Sequence, residues 1–216
     1  MTQRGYFITF EGVEGCGKTT QIHLLEKFLL QQKYEVVCTR EPGGTPVADQ
    51  IRHILLDPHN QIDPTTELLL YEACRSEHVV KVIDPTLQAG KIVLCDRFSD
   101  STIAYQGYAR GHAFDKLEQL AHLSHRELKP DLTLLLDCPV GQGLSRAQKR
   151  NVNQDSREDR FEKETLGFHE KVRQGFLKLA ALEPKRFAVF DALQPQAELA
   201  KKIQEIVTLK LKQLSS

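Results

Sequence analysis

Gly12-Val13-Glu14-Gly15-Cys16-Gly17-Lys18-Thr19-Thr20 is the stretch that decides the reading of this chain, because its first eight residues fit G-x-x-x-x-G-K-[ST]. Just before it, Tyr6-Phe7-Ile8-Thr9-Phe10 reads as a buried strand, and just after it Ile22, Leu24, Leu25, Phe28 and Leu29 recur with helical spacing. A strand, a glycine loop and a helix in that order aim several backbone N–H groups and a helix N-terminus at one point, which makes a polyphosphate site. Lys18 is then expected to reach the outer phosphates and the Thr19 hydroxyl to hold Mg²⁺. A nucleoside triphosphate is the predicted ligand.

Outward from the loop, the chain alternates. Apolar runs stand at 6–10, 35–39, 92–95, 132–136 and 187–190, each followed by helical periodicity, and the segment from Gln196 to Leu214 is itself amphipathic. Strands alternating with helices predict an α/β fold of three layers, a five-stranded parallel sheet with helices on both faces. No repeat or linker divides residues 1–216, so one domain is expected.

Composition narrows the partners. Lys+Arg and Asp+Glu both total 29, and a zero net charge argues against a nucleic-acid or anionic-membrane coat. No apolar run approaches the ~18 residues of a membrane span, and Met1-Thr2-Gln3-Arg4-Gly5 leaves no space for a secretion signal. The five cysteines form no C-x-x-C pair, and Cys38, Cys95 and Cys138 fall in or beside apolar runs as expected buried thiols. A cytoplasmic setting follows.

Ligands of such sheets collect beyond the carboxyl ends of the strands. After the second run comes Thr39-Arg40-Glu41-Pro42-Gly43-Gly44-Thr45, a forced turn with Arg40 and Glu41 at the rim. After the third come Asp96 and Arg97; a carboxylate there can reach Mg²⁺ or its water, and a buried arginine beside it needs an anionic partner. Residues 144–163 mix Arg146, Lys149, Arg150, Arg157, Arg160 and Lys163 with acids, and Asn151 through Ser156 is expected to interrupt the helical pattern. A polar loop bearing arginines between two helices suits a lid over a phosphoryl-transfer site; a solvated helix face would have the same composition.

Together these stretches resemble the thymidylate kinases. The likeness rests on Phe10 through Thr20, Thr39 through Thr45, and Asp96-Arg97-Phe98 continuing to Ala104-Tyr105-Gln106. Tyr71-Glu72-Ala73-Cys74-Arg75-Ser76-Glu77-His78 stands where the family has F-A-A-x-R-x-x-H. The resemblance implies transfer of the ATP γ-phosphoryl group, with Mg²⁺, to thymidine 5′-monophosphate (dTMP). It implies ATP on Gly12 through Thr20 and Arg146, and Mg²⁺ on Thr19 and Asp96. Charge at the reaction is expected from Lys18, Arg97, Arg157 and Arg160, with Glu14 and Asp96 as the acidic members.

For the acceptor, the resemblance implies Arg52 and Arg97 on its phosphate and Glu41 at the rim. Tyr71 would stack on the base, where relatives usually carry phenylalanine. Arg75 and Gln106, with Thr102 beside them, would read its edge, and Tyr105 would press on the sugar. The phosphate loop has no arginine while Asp159-Arg160-Phe161-Glu162 lies in the lid, as in the bacterial group. A homodimer is implied, with apolar positions of 64–89 and 113–125 as its surface. Two other readings stay open: a kinase for another nucleotide, and a GTP switch or non-catalytic module, although the chain has no N-K-x-D segment for guanine.

Overall fold

A computed structural model describes residues 4–126, 128–154 and 160–214. Five strands, β1 (Phe7–Glu11), β2 (Val36–Arg40), β3 (Ile92–Asp96), β4 (Leu132–Asp137) and β5 (Phe187–Asp191), form one sheet in the order β2-β3-β1-β4-β5. Every pairing is parallel, with Phe10 of β1 opposite Asp96 on one side and Leu134 on the other. Each expected strand is present, shifted by no more than about a residue at either end, as boundaries usually are. Residues of alternate parity on β1 face opposite sides. Ile8 and Phe10 join the larger apolar cluster with Leu25, Leu94 and Leu134, and Phe7 packs with Val93, Ile83 and Phe98 on the other face.

Helices cover both faces. They are α1 (Lys18–Gln31), α2 (Pro46–Leu56), α3 (Pro64–His78), α4 (Asp84–Gln88), α5 (Ser99–Thr102), α6 (Phe114–His125), α7 (Val140–Gln154), α8 (Leu166–Leu182) and α9 (Gln196–Leu214). Thr45 and Asp63 cap α2 and α3 through hydrogen bonds to Ala48 N and Thr65 N, each with proline at the first helical position. Residues Val79–Ile83 and Ile103–Ala109 wind as wider π-helical turns continuous with their helices. Such turns gather at functional sites, and the second carries Tyr105 and Gln106. None of the described helices is long and apolar enough to cross a membrane.

Two expectations change. The helical pattern expected to break at Asn151 continues in α7 to Gln154, since polar residues without Pro or Gly lower helix propensity without ending a helix. Cys38 is only half-buried because β2 is the sheet's edge strand, whereas Cys16, Cys74, Cys95 and Cys138 are buried; all five are free thiols.

All five strands end, at the same edge of the sheet, on a charged residue: Glu11, Arg40, Asp96, Asp137 and Asp191. The strand order reverses direction beside β1, so the loop after β1 stands at the switch point.

Candidate active site

A cleft of about 860 Å³ opens over that edge and runs from the phosphate loop to the α3 helix. At one end Gly15 and Gly17 take left-handed backbone (φ 69° and 97°), and Gly17 caps α1 without a side chain. A Cβ at Gly15 would lie 2.0 Å from Gly143 O, and one at Gly143 would lie 2.4 Å from Glu14 O. The root of α7 therefore packs backbone against backbone on the phosphate loop. Lys18 is buried and its Nζ donates to the carbonyls of Gly12 and Val13, each at 3.1 Å. Thr19 Oγ1 donates to Asp96 Oδ2 at 3.0 Å, bringing together two hard oxygen donors of the kind Mg²⁺ takes.

Arg97 also has left-handed backbone, at φ 72°, which turns the chain off β3 and lets Asp96 and Arg97 both line the cleft. Strained backbone of this sort gathers at functional sites. The anionic partner its burial demands is Glu14, whose Oε1 accepts from Arg97 Nη2 at 3.2 Å and also from the Tyr105 hydroxyl. The Arg97 guanidinium lies 5.1 Å from the Tyr105 ring centroid. Burial alone would raise the Glu14 carboxyl, but His169, Arg97, Lys18 and Tyr105 outweigh it and hold the group well below the ordinary carboxylate range. His169, from α8, brings Nδ1 to 3.2 Å from Glu14 Oε2, a close electrostatic contact too poorly aligned to be a hydrogen bond.

Glu11 lies beneath Arg97. It is fully buried, accepts from Phe98 N (2.8 Å) and Ser101 Oγ (2.6 Å), and comes within 3.9 Å of Arg97 Nη1. Burial pushes its carboxyl up to about 7 despite the pull of Arg97. The sequence reading passed over Glu11. The signal was there, a carboxylate closing an apolar strand, as with Asp96.

The other end of the cleft is a buried ion network. Arg75 Nε donates to Glu41 (2.8 Å), Nη1 to Glu72 (2.5 Å) and Thr102 (2.7 Å), and Nη2 to the Phe98 carbonyl (3.2 Å). Those four bonds leave one of its five N–H donors for the cleft, which it lines. Glu41 also meets His78 Nδ1 at 3.0 Å, and Arg75 with His78 overcomes burial to keep that carboxyl below its ordinary value. Arg52 Nη1 donates to the Pro42 carbonyl at 2.9 Å and lines the same wall.

Aromatic rings close this end. Tyr71 and Tyr105 both pack edge-on against Phe161, at centroid distances of 6.3 and 5.6 Å. Phe161, quoted in the lid motif without a role, is thus brought to the base-proximal wall. Gln106 is 1% exposed; its Nε2 donates to Glu67 Oε1 at 2.8 Å, and its Oε1 has no partner among the described residues. Glu67 is a further residue the sequence reading missed, although Glu67, Tyr71 and Arg75 share one helix face at four-residue spacing.

Of the lid residues, Arg146 Nη1 contacts the Ala192 carbonyl (3.4 Å) at the phosphate-loop end of the cleft. Arg160 donates Nη2 to Glu67 Oε2 at 2.5 Å and Nε to the Leu55 carbonyl. Arg157 lies outside the described residues. The remaining expected positions, from Gly15 through Thr20 with Arg97, Thr102 and Tyr105, line one cleft, and Gly12 and Val13 form its carbonyl floor.

A parallel sheet with a phosphate loop at its switch point, an arginine-rich lid segment and a second pocket facing the loop defines a P-loop kinase of small phosphorylated acceptors. The sequence model of the family described as Thymidylate kinase matches residues 10–203. The chain is 58% identical over 189 residues to the thymidylate kinase of Geobacter sulfurreducens, covering 87% of this chain and 89% of that one. It is 55% identical over 209 residues to that of Geotalea uraniireducens, covering 96% and 98%. Among solved structures, the thymidylate kinase from Ehrlichia chaffeensis superposes with a TM-score of 0.76 at 36% identity, covering 95% of this chain and 99% of that one. The chain belongs to the thymidylate kinase family.

Proposed function

We propose that the cleft transfers the γ-phosphoryl group of ATP to dTMP, giving dTDP for dTTP synthesis, with the donor on the phosphate loop and the acceptor between Arg97 and Arg75. The observation that carries this reading is the continuity of one cleft from Lys18 and Thr19 to Tyr71, Arg75 and Gln106. A nucleoside monophosphate has a second phosphate pKa near 6, so the acceptor is already mostly dianionic and needs no general base. What remains is holding two repelling anions in line and neutralising the charge that develops. Lys18, Arg97 and Arg52 stand on the cleft wall for that purpose, with Arg157 and Arg160 delivered by the lid over about 144–163.

Mg²⁺ would be held by Thr19 and, directly or through water, by Asp96, and it supplies charge neutralisation between the phosphates. Tyr71 would stack on the thymine while the remaining Arg75 donor and the open Gln106 oxygen meet its edge, and Thr102 fixes Arg75. Tyr105, pinned by Glu14, would crowd the position of a ribose 2′-hydroxyl. Arg146 and the loop after β5 would border the adenine. The chain acts as one domain and, in this reading, as a cytoplasmic homodimer. Exposed Leu69 and Leu123 on the packed helices α3 and α6 support the dimer, and five free thiols suit a reducing compartment.

The test is Mg-ATP-dependent ADP formation with dTMP, dUMP, UMP, dCMP, dGMP and no acceptor. The expected order is dTMP above dUMP above UMP, with dUMP retained as a secondary substrate because one methyl group is worth only about 1–3 kcal/mol. Preference for another monophosphate would remove the roles given to Tyr71, Arg75 and Gln106, and equal ADP without an acceptor would remove the kinase reading.

A further inference from the structure

The amide of Gln106 can present either an oxygen or an NH₂ group to the cleft, and its neighbour settles which. Glu67 is 1% exposed and its carboxylate accepts four bonds: from Gln106 Nε2 (2.8 Å) and Arg110 Nε (3.1 Å) on Oε1, and from Arg110 Nη2 (3.3 Å) and Arg160 Nη2 (2.5 Å) on Oε2. Those arginine and amide partners outweigh burial and keep the carboxyl below its ordinary value. An ionised carboxylate is acceptor-only, so the face of Gln106 turned toward it has to be the NH₂. The oxygen is then turned the other way, buried and without a partner, in a residue that lines the cleft.

We propose that Glu67 is a specificity-positioning residue: by accepting from Gln106 Nε2 it locks that amide with its oxygen toward the base, so that the site takes pyrimidines whose ring nitrogen N3 carries a hydrogen. Thymine and uracil present N3–H and a carbonyl at C4, matching an acceptor on Gln106 and the remaining donor on Arg75. Cytosine presents a lone pair at N3 and an amino group at C4, which reverses both and leaves buried polar groups unpaired, the strongest form of rejection a pocket has. The proposal rests on the reading of Gln106 as a base contact given above.

The test measures kcat and KM of the full chain with Mg-ATP and dTMP, dUMP or dCMP, for the wild type and for Q106A, E67Q, Q106E and E67Q/Q106E. The amide introduced at position 67 can donate to the Gln106 oxygen and release its NH₂ toward the cleft. E67Q is therefore expected to lower the dTMP/dCMP ratio of kcat/KM by at least about tenfold, leaving the dTMP/dUMP ratio unchanged. Q106E alone sets two carboxylates face to face and should weaken dTMP. Combined with E67Q it is an acceptor locked by a donor again, and the dTMP/dCMP ratio should return to near wild type. A purely structural Glu67 would depress all three acceptors alike and move no ratio.

An unchanged dTMP/dCMP ratio in E67Q, with the ratio lost in Q106A, overturns the role of Glu67. So does failure of the double variant to restore the ratio. Q106A with unaltered dTMP KM and an unaltered ratio instead removes the base-reading role of Gln106 itself. Should E67Q not fold, judged by thermal melting, the double variant keeps the net charge and carries the test.

Discussion

The two ends of the cleft are built on opposite plans. At the base end, Arg75 is 2% exposed and bonded to two carboxylates, a hydroxyl and a carbonyl, and the chain of contacts runs on through Glu41 and His78 to Thr39. That end is complete in itself. At the phosphate end, Lys18 lies against the carbonyls of its own loop, and Thr19 against Asp96. These are neutral or exchangeable contacts that a phosphate or a cation can replace. A buried charge network must be closed to be tolerated, whereas a group that is to meet a ligand's charge must be held by something weaker. The first serves the fold and the second the reaction, and substitutions should separate them.

The largest expected effect falls at the phosphate end. Lys18→Ala should lower kcat at least about a thousandfold, the scale of removing a preorganised cation from a phosphoryl-transfer site. Its melting temperature should stay near that of the wild type, because only loop carbonyls lose a partner. A large loss of stability would break the comparison. The mirror experiment is Arg75→Leu, which strands Glu41 and Glu72 as uncompensated buried carboxylates. About 3–5 kcal/mol of stability should go with it, read as a fall of the melting temperature by roughly 10 °C. A variant that melts like the wild type would mean the network is not what holds that end.

The lid comes next. Replacing Arg157 and Arg160 together by alanine should lower kcat at least about a hundredfold, or roughly 3 kcal/mol. Near-normal kcat in the double variant would confine catalytic charge to the cleft floor. Single variants sharpen the matter, since Arg160 also anchors on Glu67 and its loss should raise dTMP KM as well.

The smallest effect concerns Glu11, whose sign is opposite to that of Glu14 and Glu41. Its carboxyl is raised by burial from 4.5 to about 7, so the folded chain holds a proton there that the unfolded chain releases near 4.5. Stability from this group is present at low pH and lost as pH rises from about 4.5 to about 7, at most on the order of 3 kcal/mol. Glu14 and Glu41, held below their ordinary values, lose stability as pH falls instead. Glu11→Gln should flatten the neutral limb of a denaturation series between pH 5 and 8 and leave the acid limb alone. An unchanged slope would show that Glu11 is already ionised in the fold.

How much of this was legible beforehand follows the physics of each signal. The strands were readable because a parallel sheet buried on both faces requires continuous apolar runs. The phosphate loop was readable because its glycines are demanded by backbone geometry. What hydrophobic periodicity does not encode is which buried polar groups pair. Glu67, Glu11 and His169 owe their roles to partners 39, 87 and 155 positions away in the chain. The extent of α7 was hidden for another reason, since asparagines weaken a helix by amounts that neighbouring turns can offset.

The meeting of Gly15 with Gly143 has one more consequence. Each position is crowded by backbone of the other segment, not by a side chain, so no substitution elsewhere can clear space for a methyl at either. The two sites are 128 positions apart, yet the lid's root and the phosphate loop share one mutational fate. In a library of random variants both should stay glycine under selection for growth, while changes further along the lid accumulate freely.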